Sequence, residues 1–188
     1  MSTITNQKQK LRQRLKQARL EINEEDRCSY NGSIYRRFFS LAQVKSAKTL
    51  FCFISNGSEV ETHPIINQLL NDGKSVVVPK IIDRQPMIAV SFSGWKDVLP
   101  GQLGILSPTS SEPAQNKIDI CITPGLGFSI TGQRLGFGRG YYDMWFSKNR
   151  VTTKIALSYE CQLVENLPTN ETDVAMNLIV TEERIINT

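Results

Sequence analysis

The sequence contains few of the residues on which metal centres and disulfide frameworks depend. It has one histidine, His63, and four scattered cysteines without a Cys-x-x-Cys pair. We therefore expect neither a zinc site nor structural disulfides, and we predict a reducing, cytoplasmic compartment. No apolar run approaches membrane-spanning length, and the first residues lack the apolar core of a signal peptide. We accordingly expect no membrane partner.

Acidic residues are missing from the first 20 positions, which carry six basic ones. The whole chain has 22 basic and 18 acidic side chains and a net charge of +4, so the remainder is slightly acidic at −2. The basicity belongs to one segment, which argues against nucleic acid as a partner. The length of 188 residues and the hydrophobic content of 40% predict one soluble domain over residues 1–188. We expect a monomer or a homodimer, between which the sequence does not decide.

The basic segment has the apolar periodicity of a helix over residues 6–22. The apolar stripe consists of Leu11, Leu15, Ala18 and Ile22. Three basic side chains border one side of this stripe, where they can reach over a cleft: Lys8, Arg12 and Arg19. Asn23 is predicted to cap a second helix that runs to about residue 43.

Beyond these helices the pattern alternates between short apolar runs and helical segments. Strands are predicted at 49–55, 75–79, 87–93, 118–124, 153–159 and 177–181. Helices are predicted from a Thr62 cap to Gly73 and over 139–149. Residues 94–116 are predicted to form a surface excursion, that is, an irregular segment outside the main sheet. This order predicts an α/β fold with a mainly parallel, Rossmann-like open sheet and helices on both faces.

The segment RLGFGRGYYD, residues 134–143, follows one predicted strand and precedes a helix. Its alternate glycines allow close approach to the backbone, and its arginines favour an anionic ligand. Ligands of open parallel sheets bind beyond the carboxyl ends of the strands. The loop does not end in Gly-Lys-Ser/Thr and lacks Rossmann spacing, which sets both common nucleotide motifs aside.

The longer segment TPGLGFSITGQRLGFGRGYYD, residues 123–143, resembles the signature of the 5-formyltetrahydrofolate cyclo-ligase family. Weaker similarity extends to KQKLR (8–12), SEVET (58–62) and TDVAMNLIVTEE (172–183). The resemblance implies an enzyme that uses ATP and Mg²⁺ to convert the reduced folate 5-formyltetrahydrofolate into 5,10-methenyltetrahydrofolate, ADP and phosphate. Phosphoryl transfer requires positioning and charge neutralisation, which arginines and backbone N–H groups supply.

The same resemblance implies roles for individual residues. Arg134 and Tyr141 are the candidate catalytic residues. The implied ATP contacts are Lys8, Arg12, Arg134, Gly136, Gly138, Arg139, Gly140, Tyr141 and Tyr142. The implied folate contacts are Ile54, Glu59, Phe137 and Tyr141. The implied Mg²⁺ ligands are Asp143 and Asp173.

Several interpretations remain open from the sequence alone. Lys8 and Arg12 are also compatible with a solvated helix face, and Asp173 with a turn cap. Glu61 competes with Glu59 for the pterin. Asn177 stands where the family usually has aspartate, which predicts weaker metal binding if that position contributes. Arg134 is expected to be a flexible loop side chain with little effect on stability. Another ATP-dependent ligase or kinase, and a nucleotide- or RNA-binding module, are the rival functions.

Overall fold

A computed structural model describes residues 3–82, 86–101 and 106–188. Its helices are α1 (Thr3–Leu20), α2 (Glu24–Ser40), α3 (Ala42–Ser46), α4 (His63–Asn71) and α5 (Tyr141–Phe146). The Asn23 cap is confirmed, since its side-chain oxygen accepts a hydrogen bond from the Asp26 N–H at 2.8 Å. The second helix ends earlier than predicted because Leu41 has an extended backbone, with ψ at 129°. None of the described helices combines the length and apolar character needed to cross a membrane.

Seven strands form the main sheet in the order β12-β11-β9-β6-β1-β2-β3. They are β1 (Thr49–Cys52), β2 (Ser75–Lys80), β3 (Ile88–Phe92), β6 (Ile120–Thr123), β9 (Thr153–Leu157), β11 (Leu178–Val180) and β12 (Ile185–Asn187). The five central strands are parallel, whereas the edge strands β3 and β12 pair antiparallel. The prediction of an α/β fold with a mainly parallel sheet is confirmed.

Both faces of the sheet are buried, which explains why its central strands are apolar throughout. On one face Leu50 and Ile122 belong to a cluster that contains Phe38 of α2 and Ile66 of α4. On the other face Phe51, Val77 and Cys121 cluster with Trp145 of α5.

Two smaller sheets were missed by the sequence patterns. One has the order β10-β7-β8, built from β7 (Gly127–Ser129), β8 (Arg134–Leu135) and β10 (Leu163–Val164). The other pairs β4 (Val98–Pro100) with β5 (Leu106–Pro108), inside the segment that was predicted to be a surface excursion. Residues 102–105 of that segment lie outside the described residues. These strands of two or three residues are too short to show a clear alternation in sequence.

Thr62 occupies the N-cap position of α4, as predicted, but its side chain does not cap the helix. The Thr62 hydroxyl donates to the Phe53 carbonyl at 2.8 Å and accepts from the Ser55 N–H at 2.9 Å. Its side chain therefore ties the end of β1 to the start of α4, and it makes no cap bond to the helix. His63 is the first residue of α4, as predicted, and its Nδ1 contacts Ser55 Oγ at 3.1 Å.

Candidate functional site

A cleft with a volume of about 710 Å³ lies at the carboxyl ends of β1, β2 and β6. Phe53 and Ile54 line it just after β1, Pro79 near the end of β2, and Pro124 just after β6. From β1 the chain continues to β2 on one side, whereas β6 lies on the other. The cleft therefore opens at the point where the strand order reverses, the usual ligand position in an open α/β sheet.

All fourteen residues to which the sequence comparison assigned a role line this one cleft. They come from four parts of the chain: α1, the segment after β1, the glycine loop with α5, and the segment before β11. The residues are Lys8, Arg12, Ile54, Glu59, Arg134, Gly136, Phe137, Gly138, Arg139, Gly140, Tyr141, Tyr142, Asp143 and Asp173.

The glycine loop joins β8 to α5 and is packed against arginines of the protein itself. Gly138 and Gly140 have φ values of 104° and 68°, which non-glycine residues rarely adopt. Arg12 Nε donates to the Gly136 carbonyl at 2.8 Å, and a Cβ on Gly138 would lie 3.4 Å from Arg12 Cζ. A Cβ on Gly136 would lie 2.9 Å from Arg134 Nη1. The glycines thus bring two guanidinium groups to the loop backbone.

Two ion pairs place positive and negative groups side by side in the cleft. Lys8 Nζ contacts Asp173 Oδ2 at 2.5 Å, across 165 positions of sequence. Arg134 Nη2 contacts Asp143 Oδ1 at 2.7 Å. The side chains of Lys8 and Arg134 are only 9% and 4% exposed. Lys8 is therefore not part of a solvated helix face.

Arg134 corrects the expectation of a flexible loop side chain. It is the first residue of β8, and its Nη1 also donates to the Pro124 carbonyl at 3.3 Å. Its Cζ lies 5.7 Å from the centre of the Tyr142 ring, which in turn stacks on Phe51. Because this guanidinium is buried and paired, we expect its removal to lower the stability of the protein as well as the binding of any ligand.

Two buried polar atoms at this end of the cleft have no hydrogen-bond partner within the described chain. They are Arg134 Nε and the Tyr142 hydroxyl. Burial raises the pKa of Tyr142 well above its ordinary value, so the hydroxyl keeps its proton. Unsatisfied buried donors are costly in a folded protein and are frequently associated with function. Both atoms are donors, which suits an oxygen-rich ligand.

Ile54, Glu59 and Phe137 also line the cleft. Glu59 Oε2 accepts the Asn56 N–H at 2.9 Å, and burial raises the pKa of this carboxyl. Glu61 is exposed and does not line the cleft. Of the two glutamates, only Glu59 lines it. Phe137 is 50% exposed, an unusual degree for a large apolar side chain.

The two predicted metal ligands lie close together. Asp143 Oδ1 accepts the N–H of Val174, the residue next to Asp173, at 3.2 Å. Each aspartate makes its cation contact through one oxygen, and the side chains are 21% and 20% exposed. No three His, Cys, Asp or Glu side chains of residues 3–82, 86–101 and 106–188 form a metal-sized cluster. Two carboxylates fit Mg²⁺ if phosphate oxygens and water complete its coordination.

Asn177 does not belong to this pair of aspartates. Its side-chain oxygen accepts the Lys154 N–H at 2.8 Å, at the start of β9. It does not line the cleft, so its difference from the family pattern gives no reason to expect weaker metal binding.

Sequence reasoning missed several residues that line the cleft. Leu106 and Ser107 of β5 form one wall, although their segment was interpreted as a surface excursion. Asn56 and Asn170 also line it, and each donates its backbone N–H to an aspartate or glutamate of the site. Their positions three residues before Glu59 and Asp173 are typical of turns that orient a carboxylate.

Comparison with known proteins gives one consistent result. Residues 4–182 match the profile of the 5-formyltetrahydrofolate cyclo-ligase family. The probable 5-formyltetrahydrofolate cyclo-ligase of Caenorhabditis elegans is 29% identical, over 99% of this chain and 98% of that protein. The 5-formyltetrahydrofolate cyclo-ligase of Escherichia coli K12 is 27% identical, over 91% and 98%. The solution structure of Aquifex aeolicus 5,10-methenyltetrahydrofolate synthetase superposes with a TM-score of 0.85 at 26% identity, covering 96% of this chain and 92% of that one.

Proposed function

The chain belongs to the 5-formyltetrahydrofolate cyclo-ligase family, and from that premise we propose that it converts 5-formyltetrahydrofolate into 5,10-methenyltetrahydrofolate. ATP is the co-substrate, and ADP and phosphate are the other products. The observation that carries this proposal is the convergence of all fourteen expected residues on one cleft at the switch point of the sheet.

The chemistry proceeds in two steps. The formyl oxygen attacks the γ-phosphorus of ATP, the bond to ADP breaks, and an imidate-like phosphate forms on the folate. The 10-nitrogen then attacks the formyl carbon, loses its proton, and the carbon–oxygen bond breaks to release phosphate. Phosphorylation thus turns the amide oxygen into a leaving group, and no protein nucleophile is required. The protein has to align the two substrates and neutralise phosphate charge.

Four cations line the end of the cleft formed by α1 and the glycine loop: Lys8, Arg12, Arg134 and Arg139. Arg139 is exposed, whereas Lys8 and Arg134 are buried against carboxylates. We assign these side chains and the N–H groups of the loop to the ATP phosphates. We assign Arg134 and Tyr141 to the transferring group, since preorganised donors stabilise charge that develops in a transition state.

Asp143 and Asp173 are the residues that would hold Mg²⁺. When bound, the ion would supply charge neutralisation at the phosphate oxygens. The two aspartates also pair with Arg134 and Lys8. Binding of a nucleotide would turn both cations towards phosphate and leave both carboxylates for the metal.

We assign Ile54, Glu59 and Phe137 to the folate and call these three residues the folate end of the cleft. A carboxylate accepts parallel hydrogen bonds from the N–C–N edge of a pterin, and Glu59 faces the cleft for this purpose. Ile54 and Phe137 supply apolar contacts for flat rings.

The basic helix supports this function over a nucleic-acid-binding module. Of its six basic side chains, Lys8 and Arg12 line the cleft and Arg19 is buried. They are thus directed into the fold. A single domain, a cytoplasmic location and a monomeric or dimeric state remain predictions.

The deciding experiment mixes the protein with ATP, Mg²⁺ and 5-formyltetrahydrofolate and follows the near-ultraviolet absorbance of the methenyl product. We expect product only with ATP, and one phosphate released per product. A kinase acting on folate would instead release ADP without the absorbance change. A folded sample that forms no product over a wide range of both substrates would refute the proposal.

A further inference from the structure

Arg19 is a buried cation that the cleft itself does not explain. It lies in the last turn of α1, is 5% exposed, and does not line the cleft. Burial lowers its pKa, which shows that the surroundings disfavour the charge. A buried cation requires compensating contacts, so the partners of Arg19 indicate what it is there to hold.

These partners belong to the folate end of the cleft. Arg19 Nε donates to Ser58 Oγ at 3.0 Å, next to Glu59 in sequence. Its Cζ lies 5.9 Å from the centre of the Phe137 ring, within the range of a cation–π contact. The charge of Glu59 is the strongest of the neighbouring charges that favour the protonated guanidinium. One side chain thus contacts two segments that are almost 80 positions apart.

A second arginine holds the same segment from α2. Arg27 Nη1 donates to the Ser58 carbonyl at 2.9 Å, and its Nη2 donates to the Arg19 carbonyl at 3.1 Å. Ser58 is therefore held by one arginine through its hydroxyl and by the other through its backbone. The Arg19 hydrogen bond goes to Ser58 and leaves the oxygens of Glu59 for other partners.

We propose that Arg19 is a positioning residue for the folate: it holds Glu59 and Phe137 in the orientation that grips the rings. The proposal rests on the proposed function. It predicts a selective effect, because Arg19 touches no residue assigned to Mg²⁺ and only one in the glycine loop. Binding of the folate should depend on Arg19, and binding of ATP should not.

The test compares Arg19→Met, Arg19→Lys and the control Arg14→Met, which removes an exposed charge from the same helix. Arg19→Met loses a charge-assisted hydrogen bond and a cation–π contact, so we expect the KM for 5-formyltetrahydrofolate to rise about tenfold or more. The KM for ATP should stay within about twofold. Arg19→Lys keeps the charge without the Nε bond and should raise only the folate KM, by less. Arg14→Met should leave both constants unchanged.

A second measurement separates positioning from a structural role. Equilibrium dialysis of 5-formyltetrahydrofolate without ATP, at a series of pH values, reports the ionisation of Glu59. Burial raises the pKa of Glu59, whereas the hydrogen bond from the Asn56 N–H and the Arg19 charge lower it. Tyr142 is a further titratable group, and its pKa is raised in part by the Glu59 charge. Loss of the charge in Arg19→Met raises the Glu59 pKa further. The acid limb, which is the fall of folate binding as the pH is lowered, should therefore move to higher pH. In Arg19→Lys the limb stays where the unmodified protein has it.

Each possible result either supports or overturns the proposal that Arg19 positions the folate. Equal changes of both KM values in Arg19→Met, or an acid limb that does not move, would show that Arg19 only stabilises the fold and would overturn the inference. If Arg19→Met does not fold, Arg19→Lys decides through its folate KM alone. An unmodified protein that makes no methenyl product would overturn the proposed function and the inference together. An active protein with unselective Arg19 variants would overturn the inference alone.

Discussion

Replacement of Asp173 by asparagine tests the ion pair that joins α1 to the segment before β11. Asparagine has the same shape and still offers an oxygen to the Asn170 N–H, which Asp173 accepts at 2.8 Å. The change therefore removes mainly the negative charge opposite Lys8. Lys8 is left with a side chain that is 9% exposed and has lost its carboxylate.

The expected cost follows from this burial. A hydrogen bond to a charged group contributes about 1.5–3 kcal/mol, and a buried charge without its partner adds desolvation cost. We expect Asp173→Asn to lower the free energy of unfolding by about 2–3 kcal/mol, or the Tm by about 4–12 °C in a chain of this length. The control is Arg184→Met, which breaks the pair of Arg184 with Glu160. Arg184 is 56% exposed, so this loss should stay below about 1 kcal/mol.

Urea unfolding of the two variants and the unmodified protein gives the comparison directly. The midpoint should fall clearly for Asp173→Asn and little for Arg184→Met, with unchanged slopes. The same Asp173→Asn protein should need more Mg²⁺ for half-maximal turnover. Equal stability losses in the two variants would refute the reasoning from burial. A normal Mg²⁺ requirement would remove Asp173 from the proposed metal site while leaving the ion pair intact.

Three further substitutions test other parts of the site. Arg134→Met should lower turnover by about 10²-fold or more. It also leaves Asp143 without its cation, so urea unfolding should show a loss of stability of about 2 kcal/mol or more; normal stability would mean that the ion pair contributes nothing. Gly138→Ala should lower the free energy of unfolding by about 1–2 kcal/mol and raise the KM for ATP, because φ is 104° at this residue. Gly94→Ala is the control, since Gly94 has an extended backbone and open space where a Cβ would lie. Glu59→Gln should raise the folate KM alone. Burial raises the pKa of Glu59 in the unmodified protein, so as the pH is lowered, folate binding measured by dialysis should begin to fall at a higher pH than an ordinary glutamate would give. Binding by Glu59→Gln that keeps this pH dependence would exclude Glu59 as the responsible group.

Much of the cleft could be predicted because its residues lie in short, continuous segments. The glycine loop was identified from a local pattern, a strand followed by glycines and a helix. The individual site residues, including those after β1, came from the resemblance to the family. The Glu59 and Glu61 alternative could not be resolved in the same way. Two glutamates two positions apart in an irregular loop differ in burial only after the loop has packed against Arg19 and Arg27.

The local periodicity of the sequence by itself determined the long helices and the central strands. The site residues were identified from the resemblance of its motifs to the cyclo-ligase family. Only the tertiary structure decided which charges are buried. The helical pattern put Lys8 and Arg19 on one side of α1, but Lys8 meets Asp173 across 165 positions and Arg19 lies behind the cleft. The antiparallel edges and the short β7, β8 and β10 were likewise decided by pairing, which depends on distant partners. The free energy of a charge depends on its surroundings, and these exist only in the packed fold.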